Sequence, residues 1–235
     1  MHTKDLRTAT VSHSTRSDIR AFLFGFALTA AILTIGAVSV TRGATASDPM
    51  AIVQNTVNQA LGVLKDHQTP TDVRRHRLIQ LVEGHFDFTD MARSSLGYHW
   101  RQLTPPQRQQ FVPLFTSFME GAYLNKLEGY SGQKIEFLNK DFDGPDHSQV
   151  NTRVMQPNGG QPIHLDYRLK QEGGDWKVYD VTVDGISITA NYRNQFNRVI
   201  NNDGFDALMN KMRSKQQELI ASLGNSRPSD PLRDP

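Results

Sequence analysis

Past residue 50 the apolar positions fall at helical intervals. Ile52, Val53, Val57, Leu61 and Leu64 recur three and four residues apart until Gln68-Thr69-Pro70 ends the run, which predicts a first amphipathic helix from Met50 to about Leu64. Thr71 or Asp72 then caps a second helix carrying Val73, Leu78, Leu81 and Val82. A short third one runs from Asp87-Phe88-Thr89 through Met91, Ala92 and Leu96 to Gly97. Leu103-Thr104-Pro105-Pro106-Gln107 is a stronger start: Thr as N-cap, Pro at the first helical position and Gln three residues on complete a capping box. The long helix it opens carries Phe111, Leu114, Phe115, Phe118, Ala122 and Tyr123 on one stripe, and Pro113 is expected to kink it.

Beyond Gly129-Tyr130-Ser131-Gly132 the period changes from helical to alternating. Ile135 and Phe137, then Val150, Thr152 and Val154, then Ile163, Leu165, Tyr167 and Leu169, then Tyr179, Val181 and Val183 each take one face of a short strand. Asp143-Gly144-Pro145, Asn158-Gly159-Gly160 and Gly173-Gly174 separate them as turns. Sequential strands with short links predict an antiparallel meander with one buried face. The last strand breaks at Asp184-Gly185 and turns directly into a helix carrying Ile188, Tyr192, Phe196, Val199 and Ile200; Phe205, Leu208, Met209 and Met212 suggest one more. The fold class is therefore α+β: a curved antiparallel sheet of four to five strands wrapped by helices. From Gly224 a short, Pro-rich, mixed-charge tail is expected to be disordered.

The N-terminus changes the reading of charge. Ala21 to Val40 is an almost purely apolar run behind Lys4, Arg7, Arg16 and Arg20, which is the grammar of export. Its length also suits a single membrane anchor. Ala44-Thr45-Ala46 offers a signal-peptidase site and favours cleavage after Ala46, while Arg42 between the run and the site counts against it. Residues 1–46 are thus a signal peptide or an N-terminal anchor, 47–223 a single domain and 224–235 the tail. Removing 1–46 takes away five of the 26 basic residues and two of the 24 acidic ones, leaving 21 and 22. The formal charge of +2 belongs to the leader, and the folded part has no excess positive charge with which to displace counterions from nucleic acid. With no cysteine, the chain has neither disulfides nor a site for a lipoprotein thioether.

No catalytic motif emerges. There is no G-x-S-x-G, no G-x-G-x-x-G, no Walker-type phosphate loop and no H-x-x-x-H spacing. His164-Leu165-Asp166 puts an imidazole and a carboxylate on the polar face of a strand, where a solvated pair is the simpler reading. Asp141-Phe142-Asp143-Gly144-Pro145-Asp146 resembles the start of a calcium loop, but Pro145 stands where a later ligand belongs and Gly144 comes too early. No enzyme activity, cofactor or metal is expected.

The run Trp176-Lys177-Val178-Tyr179-Asp180-Val181 through Asp184-Gly185-Ile186-Ser187 to Tyr192-Arg193 resembles the MlaC, or toluene-tolerance, family of periplasmic phospholipid-binding proteins. So do Phe86-Asp87-Phe88, Met91-Ala92, Leu96-Gly97 with Trp100, and Thr104-Pro105 with Gln107. Asp184 stands where the family more often has Glu, and the N-terminal segment is longer than the family leads one to expect. The resemblance implies a sheet and helices enclosing an apolar pocket for acyl chains. Tyr179, Val181, Val183 and Ile186 would lie on its sheet and corner side, with Tyr192 on the following helix and Phe115, Phe118 and Tyr123 facing them from the long helix. Leu165, Tyr167 and Phe196 complete the set of expected lipid-binding residues. It further implies a periplasmic carrier that serves outer-membrane lipid asymmetry. Its partners would be phospholipid, an inner-membrane ABC transporter with a lipid-channelling subunit, and an outer-membrane lipoprotein and porin complex.

Three alternatives stay open on sequence alone. One is a carrier of hopanoid or another polycyclic lipid. Another is a small α+β enzyme using His164 and Asp166, or Tyr192, as acid and base. The third is an interaction module whose apolar faces only pack on each other.

Overall fold

A computed structural model describes residues 48–156 and 159–225. The leader, Asn158 and the tail past Asn225 lie outside the described residues, and with them the expectations of a leader cleaved after Ala46 and of a disordered tail. The chain runs α1 (Pro49–Lys65), α2 (Thr71–His85), α3 (Phe88–Leu96), α4 (His99–Gln102), α5 (Pro105–Glu128), β1 (Ile135–Phe142), β2 (His147–Val154), β3 (Ile163–Glu172), β4 (Asp175–Val183), β5 (Ile186–Ser187), α6 (Ile188–Asp203) and α7 (Phe205–Asn225). The strands form one antiparallel sheet in chain order. Local chemistry explains most starts. Asp48 accepts from Met50 N at 2.9 Å ahead of Pro49, and Thr104 and Gln107 close their capping box through bonds of 2.9 and 3.4 Å. α2 departs from expectation, because it begins at Thr71 with Pro70 in the cap position and no side-chain cap. The short α4 was not foreseen, and α7 continues to Asn225, past the expected start of the tail. α5 is one helix of 24 residues with Pro113 inside it.

The corner after β4 is a hairpin turn before it is a helix start. Val183 pairs with Ile186, and the two residues between them, Asp184 and Gly185, sit at φ 47° and 81°. Positive φ at both centres matches the right-handed twist of a two-residue hairpin, and Asp tolerates it better than other side chains. Asp184 is held to β3 by exchanging bonds with His164, its Oδ1 accepting at 2.8 Å and its N donating at 2.9 Å. Ser187 then caps α6, accepting from Ala190 N at 3.1 Å.

Register sets two faces. Phe137, Thr152, Leu165 and Val183 form one cross-strand row, Val150, Tyr167 and Val181 the next, and Ser148, Leu169 and Val178 a third. This inner face carries Val150, Leu169, Trp176, Val178 and Val181, buried against Val53 of α1 with Met50, Ile52, Val57 and Phe86 packed around them. Two bulges interrupt the ladder, at Leu138 in β1 and at Tyr179 in β4, each residue facing no partner. The second re-phases its strand: Trp176 and Val178 point inward before it and Val181 after it. Strict alternation back from Val183 placed Tyr179 on the buried face, and the inserted residue turns it to the other.

A second apolar cluster is built from the helices, with Leu103 from the turn before α5. Met91, Ala92 and Leu96 of α3, Phe111, Phe115, Phe118 and Met119 of α5, Phe196 of α6 and Leu208, Met209 and Met212 of α7 are all buried there. At Gly97, the C-cap of α3 at φ 55°, a Cβ would come within 3.1 Å of Arg193 Cδ on α6. Arg193 is fixed in place by donating from Nε to Ser94 O at 2.8 Å. Gly97→Ala therefore combines a left-handed backbone with a collision, and is expected to lower unfolding free energy in urea by about 1–3 kcal/mol. Gly173→Ala, with φ 61° and open space around it, should lose only the backbone part. Equal losses at the two sites would show that the Arg193 contact is without cost.

Candidate functional site

The expected site residues divide between the two clusters. Phe115, Phe118 and Phe196 are buried in the helical one, with Tyr123 and Tyr192 half-buried against it. Phe118 meets Tyr192 edge-on at 5.5 Å, and Tyr192 lies 5.5 Å from Phe196. Val181 and Tyr167 belong to the sheet cluster, while Leu165 and Val183 are half-buried one row away. Two expectations are corrected. Tyr179, displaced by its bulge, stands on the outer face beside His147 and Arg168. Ile186 is 65% exposed: it shares the face of its partner Val183, but in a two-residue strand at the edge of the sheet. Among the described residues the long helix and the inner sheet face pack into separate clusters, with the half-buried Phe86 and Ile188 flanking both.

Sequence reasoning missed the cover of the sheet. α1 lies over the inner face, tied at its start by the Lys140–Asp48 ion pair of 2.6 Å. Beneath it Ile52, Val53, Thr56, Val57, Phe86, Tyr167 and Val178 line an apolar crevice of about 20 Å³. That is room for one water, against roughly 300–1,000 Å³ in a pocket holding a ligand. Phe86 enters by a parallel bridge to Val178, its neighbour Asp87 donating from N to Val178 O at 2.8 Å. No periodicity announces such a contact. The phase shift from Trp176 and Val178 to Val181 and Val183, however, is visible in the sequence and marks the bulge.

Polar groups are few and fixed on these surfaces. Asp180, 3% exposed, accepts from Ser187 Oγ at 2.6 Å and Thr189 N at 3.1 Å, so the N-terminus of α6 carries a buried carboxylate. Burial, then the neighbouring Tyr192 and Asp180, push the Tyr123 hydroxyl upward, and it is hydrogen-bonded to Tyr192. Burial alone pushes the Tyr167 phenol up to about 12. Both stay neutral donors at ordinary pH. The indole N–H of Trp176 is buried without a partner. At the edge of the sheet, burial pushes the Asp87 carboxyl up, but Lys170 outweighs it and holds the carboxyl below its usual range, bonding Asp87 at 2.7 Å and Asp90 at 3.1 Å.

The residues of the acid–base alternative fall on two surfaces. His164 is exposed and Asp166 half-buried on the outer side of β3, whereas Tyr192 belongs to the helical cluster. Among the described residues no group of three His, Asp or Glu side chains is placed to hold a metal, and no helix is long and apolar enough to cross a membrane.

The family of MlaC proteins matches residues 54–214, a span from within α1 into α7 that takes in the whole sheet and most of both clusters. This chain belongs to the MlaC family. It is 26% identical over 203 residues to the intermembrane phospholipid transport system binding protein MlaC of Haemophilus influenzae, covering 83% of this chain and 92% of that one. It is 28% identical over 166 residues to the toluene tolerance protein ttg2D of Pseudomonas putida, covering 68% and 77%. Among solved structures, a phospholipid-binding protein from Ralstonia solanacearum in complex with a phospholipid matches with a TM-score of 0.64 and 27% identity, over 74% of this chain and 99% of that one. The MlaC fold, a five-stranded antiparallel sheet with surrounding helices, is thus common to both chains.

One titration follows from the packing of α5. Burial and the facing Glu83 raise the Glu120 carboxyl from its ordinary 4.5 to about 7, and its Oε1 is buried without a partner. The folded state therefore prefers the protonated form. The associated stability is whole below about pH 4.5, where the unfolded chain is protonated too, and is lost as pH rises through about 7. Glu120→Gln should flatten that part of the stability profile and raise the melting temperature at pH 8. An unchanged slope between pH 5 and 7 in thermal melts would sink this reading.

Proposed function

We propose that the chain is a periplasmic lipid carrier that shields phospholipid acyl chains between α1 and the inner face of the sheet, without catalysis. The observation that carries this is the phospholipid held by the Ralstonia solanacearum protein of the same fold. The need for such a carrier is energetic. An acyl chain of about sixteen carbons costs on the order of 12 kcal/mol to expose to water, at ~0.8 kcal/mol per CH₂, so free lipid rarely crosses an aqueous compartment. The crevice walls are Ile52, Val53, Val57, Phe86 and Val178, and an entering chain replaces apolar contact with apolar contact. Tyr167 supplies the one hydroxyl donor on the sheet side.

The partners rest on the family resemblance: an inner-membrane ABC transporter with a lipid-channelling subunit on one side, and an outer-membrane lipoprotein and porin complex on the other, would give direction to a carrier whose sequence has no nucleotide-binding loop. Residues 1–46 act as the export signal or as a tether. The helical cluster, with Phe115, Phe118, Tyr123, Tyr192 and Phe196, forms the standing frame against which the crevice opens.

Two measurements test this. Native mass spectrometry of the purified chain should show a co-purified phospholipid, and an apo mass unchanged by incubation with liposomes would overturn the carrier reading. The absence of native cysteine allows α1 to be pinned to β1 through Asp48→Cys and Lys140→Cys joined by a short bismaleimide. Linking is expected to slow lipid uptake roughly tenfold or more. Uptake at the unlinked rate would move the acyl site away from α1.

A further inference from the structure

The bulge that turns Tyr179 outward also builds a hollow. On the outer face Asp141, Gln149 and Arg168 stand in one cross-strand row, and the extra residue of β4 adds the Tyr179 ring beside them. The Arg168 guanidinium lies over that ring at 5.6 Å, and His147 meets it edge-on at 5.7 Å. With Asp143, these side chains line a cavity of about 190 Å³ at the turn end of the β1–β2 hairpin.

Charge is uneven in a telling way. The Asp141 carboxylate accepts from the amides of Asn139 at 2.8 Å and Asn151 at 3.0 Å, and His147 is paired with Asp146 at 2.9 Å. Arg168 and Asp143 have no such compensation: no ion pair joins either of them to another side chain among the described residues. They line one hollow, yet they do not pair with each other. The Tyr179 ring places the guanidinium at the hollow while leaving its N–H groups to receive an anion. Asp143, in the turn opposite, offers an unneutralised carboxylate. Two opposite charges held apart across a gap are satisfied together by a molecule whose own charges span it.

We propose that this hollow is a binding site for a small zwitterion, its phosphate or carboxylate on Arg168 beside His147 and its ammonium on Asp143. Phosphoethanolamine, as a lipid head group or a free solute, and α-amino acids share this chemistry. The site lies on the face opposite the α1 crevice, so it neither needs nor blocks acyl-chain binding.

The test is an NMR titration of the full-length chain in detergent micelles, labelled with ¹⁵N at arginine, following the Arg168 Nε–H signal assigned by its loss in Arg168→Gln. Phosphoethanolamine should shift that signal saturably, with half-saturation at least roughly tenfold below that of monoethyl phosphate, which lacks the ammonium. Asp143→Asn should erase the tenfold advantage, and Arg168→Gln, followed by calorimetry, should abolish binding of both ligands. Both variants should take up lipid as the parent does. No saturable shift, equal binding of monoethyl phosphate and phosphoethanolamine, or an Asp143→Asn protein that keeps the preference would each overturn the proposal. Tighter binding of glycine than of phosphoethanolamine would assign the hollow to free amino acids. Retention of the parent but not Arg168→Gln on phosphatidylethanolamine vesicles, with none on phosphatidylglycerol vesicles, would assign it to a head group.

Discussion

The corner between sheet and helix depends on a buried anion. Taking the Asp180 carboxylate out of water costs several kcal/mol unless its oxygens are satisfied, and here they are satisfied by the first turn of α6, through Ser187 Oγ and Thr189 N. The bond set is directional, so it fixes where α6 leaves the sheet. That in turn seats Tyr192 and Phe196 in the helical cluster while Val178 and Val181, on either side of the bulge, remain in the sheet cluster. One residue thereby joins two cores that also share Phe86 and Ile188 as neighbours. The Tyr179 bulge belongs to the same arrangement, because it brings Asp180 opposite Arg168 in register while its carboxylate reaches the helix end.

Much of this was legible in the sequence, and the failures are informative. Capping boxes, turn residues and periodicity are local, so the long helix from Thr104, the meander and the Ser187-led helix were readable from neighbours alone. The face of each helix was readable too, as Phe111, Phe115 and Phe118 show. What was not readable is which buried face meets which. The long helix packs on α3, α6 and α7 rather than on Tyr179 and Val183, and the sheet is covered by α1, because pairings between distant elements leave no period in the chain. Tyr179 is an intermediate case. A single inserted residue reverses every side chain behind it, and the change from even to odd apolar positions between Val178 and Val181 recorded the insertion. The family likeness reached further than periodicity did, since it carried the function, yet it too put Tyr179 on the buried face and Ile186, which lies exposed on the edge strand, in the wall.

The division into two cores bears on how a carrier can empty and refill. A protein with one continuous core loses its fold when that core is opened, because a domain's net stability is only about 5–15 kcal/mol. Here the residues of lowest exposure in the helical cluster, Phe111, Phe115, Ala92 and Leu96, are packed among α3, α5, α6 and α7 and do not depend on α1. Separating α1 from the sheet would expose Val53 and Val178, whereas the helical cluster includes no residue of α1. If acyl chains enter there as proposed, the closed crevice is the resting state of a site whose empty form buries its own apolar walls. Without that self-closure, the unloaded carrier would expose a contiguous apolar patch to every other apolar surface in its compartment. The same closure limits affinity: a guest must displace the contact between α1 and the sheet, so the net gain is the difference between two apolar burials rather than the full transfer energy of the chain. A carrier working as proposed would hold lipid firmly enough to cross water and loosely enough to surrender it, and the choice between the two would fall to whatever contacts α1.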